Sequence, residues 1–156
     1  MKPPAHNGEF PQPPPDLTFG DVRLRFDRLA EADIKRGFVP CYHFRIFADG
    51  AEVGHVNFRI GDNEHIRLYA GHIGYEVLER FRGHGYAYQA CLALAPFVRT
   101  FYQSVIITAD PDNNPSLRTI QRLGAEFINE VPVPRNDPNF RGSRAKRRFQ
   151  WSLPEG

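Results

Sequence analysis

Hydrophobic and polar residues alternate along Val22-Arg23-Leu24-Arg25-Phe26, again from Tyr42 to Phe47, and again from Val53 to Ile60. A period of two puts the apolar side chains on one face, so each run predicts a half-buried β-strand. Asp49-Gly50 joins the second and third runs as a hairpin turn. Gly61-Asp62-Asn63 marks another turn, and a further strand is expected from about Ala70 to Leu78. Between the first two strands, Leu29 to Lys35 fits a short helix ended near Gly37 and Pro40.

The period changes at Tyr86. Ala87, Ala90, Cys91, Leu94, Phe97, Val98 and Phe101 recur every three or four residues, the stripe of a helix packed on a sheet. Pro96 should kink or split that helix, because its ring removes one backbone bond and crowds the preceding turn. Val105 to Thr108 predicts a short buried strand. Pro115 to Leu123 predicts a second helix, with Asn113 or Asn114 as N-cap and Gly124 as C-cap. Strands over Phe127–Val133 and Arg148–Leu153 complete the pattern. Strands, helix, strand, helix, strands make an α+β (mixed α/β) fold in three layers, a sheet flanked by helices.

A chain of 156 residues suits one domain with one core. With 41% hydrophobic and 24% charged residues, the composition is neither disordered nor membrane-like. No apolar run is long enough to span a bilayer, so no membrane partner is expected. The N-terminus lacks the apolar centre of a secretory signal, and Cys41 and Cys91 are the only cysteines. The expected location is therefore a reducing cytoplasm. The net charge of +2 does not call for nucleic acid. The basic run Arg141-Gly142-Ser143-Arg144-Ala145-Lys146-Arg147-Arg148 reads as a solvated loop before the last strand. Histidines and cysteines do not fall at ligand spacing, so no metal is expected. An aromatic content of 13% leaves rings available for a homodimer face. Six of the 14 prolines lie at positions 3, 4, 11, 13, 14 and 15. Proline removes backbone donors, so residues 1–16 predict a flexible proline-rich arm ahead of a domain over 17–156.

The chemistry concentrates at Arg82-Gly83-His84-Gly85-Tyr86-Ala87. A glycine-containing turn running from a strand into a helix leaves backbone N–H groups without internal partners. With the positive end of the helix dipole they make a phosphate site. The stretch has neither the three glycines of a dinucleotide fingerprint nor the Gly-Lys-Ser/Thr of a P-loop. It does match R/Q-x-x-G-x-G/A. Downstream, Asn113-Asn114-Pro115-Ser116 opens a helix that ends in Leu123-Gly124 just before a strand.

These two signatures, in this order with a strand between them, resemble those of the GNAT N-acetyltransferase superfamily. The resemblance is strongest over 72–127. It implies a GNAT-like three-layer domain whose mostly antiparallel mixed sheet is splayed between the strand ending near Leu78 and the strand at Val105. Acetyl-CoA would lie in that splay as co-substrate. Val77, Leu78, Arg82, Gly83, His84, Gly85, Tyr86, Ala87 and Asn113 would bind it, with a backbone N–H near Val77 stabilising the thioester oxygen. The acceptor would be a small-molecule or protein primary amine. Glu76, as a partly buried carboxylate, is the expected base, with His72 and His55 behind it. Family members carry an acidic tyrosine four residues after the serine; here that position is Ile120, so Ser116 is the expected acid. Asn113 and Ser116 are equally readable as the residues that hold the helix start. The segment from about Ala30 to Cys41 is short where the family places two helices. The acceptor side is therefore expected to be open, or covered by another segment or subunit. The absent tyrosine and reduced roof leave an alternative, an acyl-CoA-binding module without turnover.

Overall fold

Alternation in the first half of the chain is realised as an antiparallel meander. The computed structural model describes residues 10–32, 39–137, 140 and 144–155. Strands β1 (Thr18–Phe19), β2 (Val22–Ala30), β3 (Cys41–Ala48), β4 (Ala51–Arg59) and β5 (Ile73–Val77) form one sheet in that order. The β3–β4 hairpin turns at Asp49 and Gly50, with φ of 50° and 78°, the double positive φ that matches the twist of the paired strands. Helix α1 (Tyr86–Arg99) follows β5. Then come β6 (Ser104–Ala109), helix α2 (Asn114–Leu123), β7 (Glu126–Pro132) and β8 (Ala145–Ser152). The last three strands form a second antiparallel sheet in the order β6-β8-β7.

The apolar face of the first sheet packs on α1. Tyr42, Phe44, Ile46, Val56 and Phe58 are buried against Leu94, Phe97, Val98 and Phe101. Tyr42 meets Phe97 edge to face at 4.9 Å, a favoured aromatic geometry. Helix α1 is not split at Pro96 but runs unbroken from Tyr86 to Arg99. Pro96 is exposed, so its ring lies away from the core stripe and the carbonyl it leaves unbonded is within reach of water.

Two other expectations are corrected. Leu29 and Ala30 are not helical; they extend β2 and pair with Tyr42 and Cys41. Glu31 and Ala32 have no regular structure, and the remaining residues, 33–35, lie outside the described residues. The strand expected from Ala70 begins only at Ile73, because His65–Ala70 forms a π-helical turn. Its Ile66 and Tyr69 are buried, outside the cluster that packs around α1. The proline-rich segment is docked from Phe10 onward: the Tyr42 hydroxyl donates to the Pro11 carbonyl at 2.6 Å, and the Phe10 ring packs on Tyr42 at 6.4 Å.

Among the described residues the two sheets are hydrogen-bonded to each other where β5 begins, beside Ile106 of β6. The His72 N–H donates to the Ile106 carbonyl at 2.7 Å, and the Ile106 N–H donates to His72 Nδ1 at 2.9 Å. The imidazole thus stands where the next backbone carbonyl would be, and it wedges the strands apart. Its Nε2 lies 3.1 Å from the Gly61 carbonyl, so the ring is neutral with its proton on Nε2. Burial pulls its pKa below the ordinary value. Beyond this point the strands share no register, and a gap opens between them. His72 is thereby a structural wedge, not a base.

Candidate functional site: an amide-lined turn beside the gap in the sheet

The turn ahead of α1 is built to receive an anion. Gly83 and Gly85 have φ of 90° and 73°, and a Cβ at position 85 would sit 2.9 Å from Arg122 Nη1. Glycine therefore leaves room there for both the backbone angle and a ligand. The first bond into α1 is from the Gln89 N–H to the Gly85 carbonyl, 3.0 Å. Among the described residues the amides of Gly83 through Tyr88 have no acceptor, and no side chain caps the helix. Gln89 braces the turn from behind: its Oε1 accepts from the Asp21 N–H at 2.7 Å, and its Nε2 donates to the His84 carbonyl at 3.4 Å.

A cleft of about 530 Å³ opens in front of this turn, lined by Gly83, Gly85, Tyr86, Ala87, Asn113 and Ser116 among others. Arg82, Arg118 and Arg122 also line it. Arg122 lies over the Tyr88 ring at 4.0 Å. Among the described residues none of the three arginines is ion-paired. Arg82 spends its Nε on the Val77 carbonyl, 2.9 Å, which fastens the turn to the end of β5. Arg118, Arg122 and Gln89 escape a motif-based reading because their neighbours come from distant parts of the chain.

Strand β5 forms one wall. The Arg59 N–H bonds to the His72 carbonyl and the Leu78 N–H to the Val53 carbonyl. In an antiparallel ladder successive residues turn their backbone groups to opposite sides. Those of Tyr75 and Val77 therefore face the gap. The Leu78 amide belongs to the ladder with β4, and Leu78 and His84 do not line the cleft. The His84 ring instead stacks on Tyr86 at 5.3 Å.

The opposite wall is the start of α2. Asn113 caps it, its Oδ1 accepting from the Ser116 N–H at 3.3 Å. The Ser116 hydroxyl lies 2.9 Å from the Tyr75 hydroxyl, which also approaches the Ser116 carbonyl at 3.4 Å. Burial pushes the Tyr75 phenol up, so it keeps its proton at neutral pH. The motif-based reading misses Tyr75. A phenol does stand at Ser116, but it comes from β5 and not from position 120; Ile120 is buried in the core.

Glu76 points to the other face of the sheet. It is exposed rather than partly buried, and lies opposite the exposed His55 of β4. It also reaches the rim of the cleft. A segment other than 30–41 stands beside this face. The π-helical turn lies over the second sheet, with the Tyr69 carbonyl accepting from Thr108 Oγ1 at 2.8 Å and the Arg67 carbonyl from Arg148 Nε at 2.8 Å. The described end of the basic run is not a solvated loop: residues 145–148 already belong to β8, where Lys146 pairs with Asp110 at 2.6 Å and Arg147 with Glu130 at 3.1 Å.

The fold recurs in known proteins. The chain matches the family model "Acetyltransferase (GNAT) domain" over residues 5–126. No curated protein matches the chain in sequence. Among solved structures, microcin C7 self-immunity acetyltransferase MccE, in complex with acetyl-CoA and AMP, aligns with a TM-score of 0.56 at 20% identity, over 72% of this chain and 61% of that one. RimL, a ribosomal L7/L12 alpha-N-protein acetyltransferase in complex with coenzyme A, aligns at 0.56 and 19%, over 76% and 64%. An acetyl transferase from Salmonella typhimurium that modifies the N-terminal serine of 50S subunit protein L7/L12 aligns at 0.56 and 19%, over 77% and 67%. The chain thus spans about two thirds of the length of these proteins, and the likeness is one of fold. With the matched domain covering most of the sequence, and the amide-lined turn and splayed sheet in place, the chain belongs to the GNAT acetyltransferase family, whose reaction draws on acetyl-CoA.

Proposed function

We propose that this domain transfers the acetyl group of acetyl-CoA to a primary amine, of a small molecule or a protein N-terminus, within a ternary complex. One observation carries the reading: unpartnered amides and arginines at one end of a cleft lead to a hydroxyl pair beside a gap in the sheet. Acetyl-CoA supplies an activated acyl carbon and a thiol leaving group. The amides of Gly83 to Tyr88, with Arg122, suit its diphosphate. The Val77 N–H, turned into the gap, is positioned to donate to the carbonyl oxygen as it gains charge. A lysine-like amine, with a pKa near ~10.4, must lose a proton before it attacks. Glu76, at the rim on the opposite face, accepts that proton. As the carbon–sulfur bond breaks, the Ser116 hydroxyl gives a proton to the sulfur, and Tyr75 holds and replenishes it.

The alternative of a binding module without turnover rests on the absent tyrosine at 120 and on the short segment 30–41. The Tyr75 phenol at Ser116 weakens the first ground. Among the described residues no helix is long and apolar enough to cross a membrane.

The test is thiol release from acetyl-CoA across an amine library. Tyr75→Phe and Ser116→Ala are each expected to lower kcat about tenfold with KM for acetyl-CoA nearly constant, below the usual range for proton transfer because a thiolate leaves readily. The double variant should be little worse than either single one, since the two hydroxyls act as a unit. Fully additive losses would mean that Tyr75 does not act through Ser116.

A further inference from the structure

The open face of the first sheet, beside Glu76, carries an ordered array of side chains. Three rows run across β3, β4 and β5: Arg45, His55 and Glu76; then His43, Asn57 and Gly74; then Cys41 and Arg59. Further out on β2, Arg28 pairs with Asp27 at 2.9 Å. Arg45 approaches Asp27 at 3.7 Å and Glu52 at 3.4 Å. Asp27, Arg28, Arg45 and Glu52 are therefore matched locally.

Four other charges on this face are not. Arg23 and Arg25 lie out on β2, Arg25 opposite Arg45, whereas Glu76 and Arg59 flank the gap side at β5, and none of the four makes an ion pair among the described residues. The Arg59 guanidinium is largely buried, where an unmatched charge is costly. Its Nη1 donates to the carbonyls of Ala70 and Gly71, both at 3.3 Å. That contact caps the end of the π-helical turn and uses one edge of the group. Its Nη2 lies against β5 at Gly74, 3.0 Å from where a Cβ would be. Any side chain at 74 would press on the guanidinium, so glycine keeps it seated on the strand. Gly74 and Glu76 are two residues apart on one strand, roughly 7 Å. The face thus presents a carboxylate and a guanidinium about that far apart, each without a partner of opposite charge, next to the gap in the sheet.

We infer that the acceptor is an amine that also carries an anionic group, a carboxylate or phosphate within about 7 Å of the nitrogen, and that Arg59 receives the anion while Glu76 faces the amine. This rests on the proposed function, since Glu76 marks the reacting end only if the domain acetylates amines. Arg59 is thus assigned as a specificity residue that fixes the orientation of the acceptor. The β-face position of Arg59, two rows from the reacting end, selects against plain alkylamines: they would leave the guanidinium as unmatched as it is in the free protein.

The test compares matched acceptors by thiol release. 4-Aminobutyrate and 3-aminopropyl phosphate are set against butylamine, and Gly-Asp-Gly-Gly against Gly-Ala-Gly-Gly. The first set reads free carboxylate against phosphate, and the second reads a peptide source of the same charge. In the wild type, kcat/KM should favour the anionic member of at least one pair by tenfold or more. Arg59→Gln should bring that ratio to about one, and Arg59→Lys should retain part of it. Because the ratio is taken within one variant, a general loss of stability from uncapping the π-helical turn does not mimic the effect. Equal rates for charged and neutral acceptors in the wild type, or a ratio that survives Arg59→Gln, would overturn the assignment. Calorimetric titration of the same acceptors into the protein with coenzyme A separates the two readings. Binding that depends on Arg59 without any turnover would sink the proposed reaction and keep the subsite. Neither binding nor turnover with any anionic acceptor would sink the subsite.

Discussion

Gly85→Asp is expected to weaken coenzyme A binding by at least 100-fold and to leave the fold nearly intact. Aspartate tolerates the left-handed backbone that position 85 adopts, φ 73°, better than most residues. The flexible end of Arg122, 2.9 Å from the new Cβ, can swing aside. The new carboxylate then faces a bound diphosphate across a few ångströms. At 4 Å and an effective dielectric constant near 20, one such repulsion is worth roughly 4 kcal/mol. It also offers Arg122 a partner and so withdraws a cation from the phosphate. Gly85→Asn carries nearly the same shape without the charge and should lose about tenfold, from crowding alone. Isothermal titration with coenzyme A measures both, and a melting curve checks the fold. If Asp and Asn bind equally weakly, shape and not charge governs the turn. If neither weakens binding, the diphosphate does not sit there.

His72→Phe is expected to cost about 2–3 kcal/mol in stability, a fall in Tm of roughly 5–10 °C for a chain of this size. The ring is nearly isosteric, so no large cavity opens. The loss comes from the Ile106 N–H, which would be left buried without its acceptor, and from the Gly61 carbonyl, which keeps only the Tyr102 hydroxyl at 3.4 Å. The same residue sets a pH dependence. Burial depresses the folded-state pKa of His72 below its unfolded value. Between the two values the unfolded chain binds the extra proton, so stability rises with pH in that window. The contribution is present in full above about pH 6.5 and is lost as pH falls from there through the folded-state pKa. A protonated ring would turn an N–H on Nδ1 toward the Ile106 N–H, donor against donor, at the point where the sheets meet. His43 is depressed too, chiefly by burial, and adds to the slope. Denaturant melts at pH 5 and pH 7.5 should therefore show a smaller difference in His72→Phe than in the wild type. An unchanged difference would place the acid sensitivity elsewhere.

Features governed by neighbours along the chain are legible in the sequence. The Asp49-Gly50 hairpin, the start of α1 at Tyr86, the Asn113 cap and the Gly124 stop each depend on a few consecutive residues, and each stands where expected. The glycine turn reads as a phosphate site for the same reason: strand, glycine, helix is a local succession of backbone conformations. Where local signals are weak or balanced, the pattern misleads. His65–Ala70 turns only two side chains inward, Ile66 and Tyr69, too few to declare a period. Leu29 and Ala30 suit helix or strand equally, and pairing with β3 decides for strand.

The sequence by itself determined the alternation that makes the first sheet amphipathic, the stripe that packs α1 on it, and the turn whose amides are left open. Those follow from periodicity and from backbone groups that neighbouring residues can or cannot satisfy. Only the tertiary structure decided that Tyr75 meets Ser116 across 41 positions, that a histidine takes the place of a carbonyl where the sheets part, and that Arg59 lies over Gly74 two rows from Glu76. Each of these is a contact between segments brought together by burying other residues. The hydrophobic patterns that drive such burial say which faces come inward, and not which polar atoms then find themselves opposed.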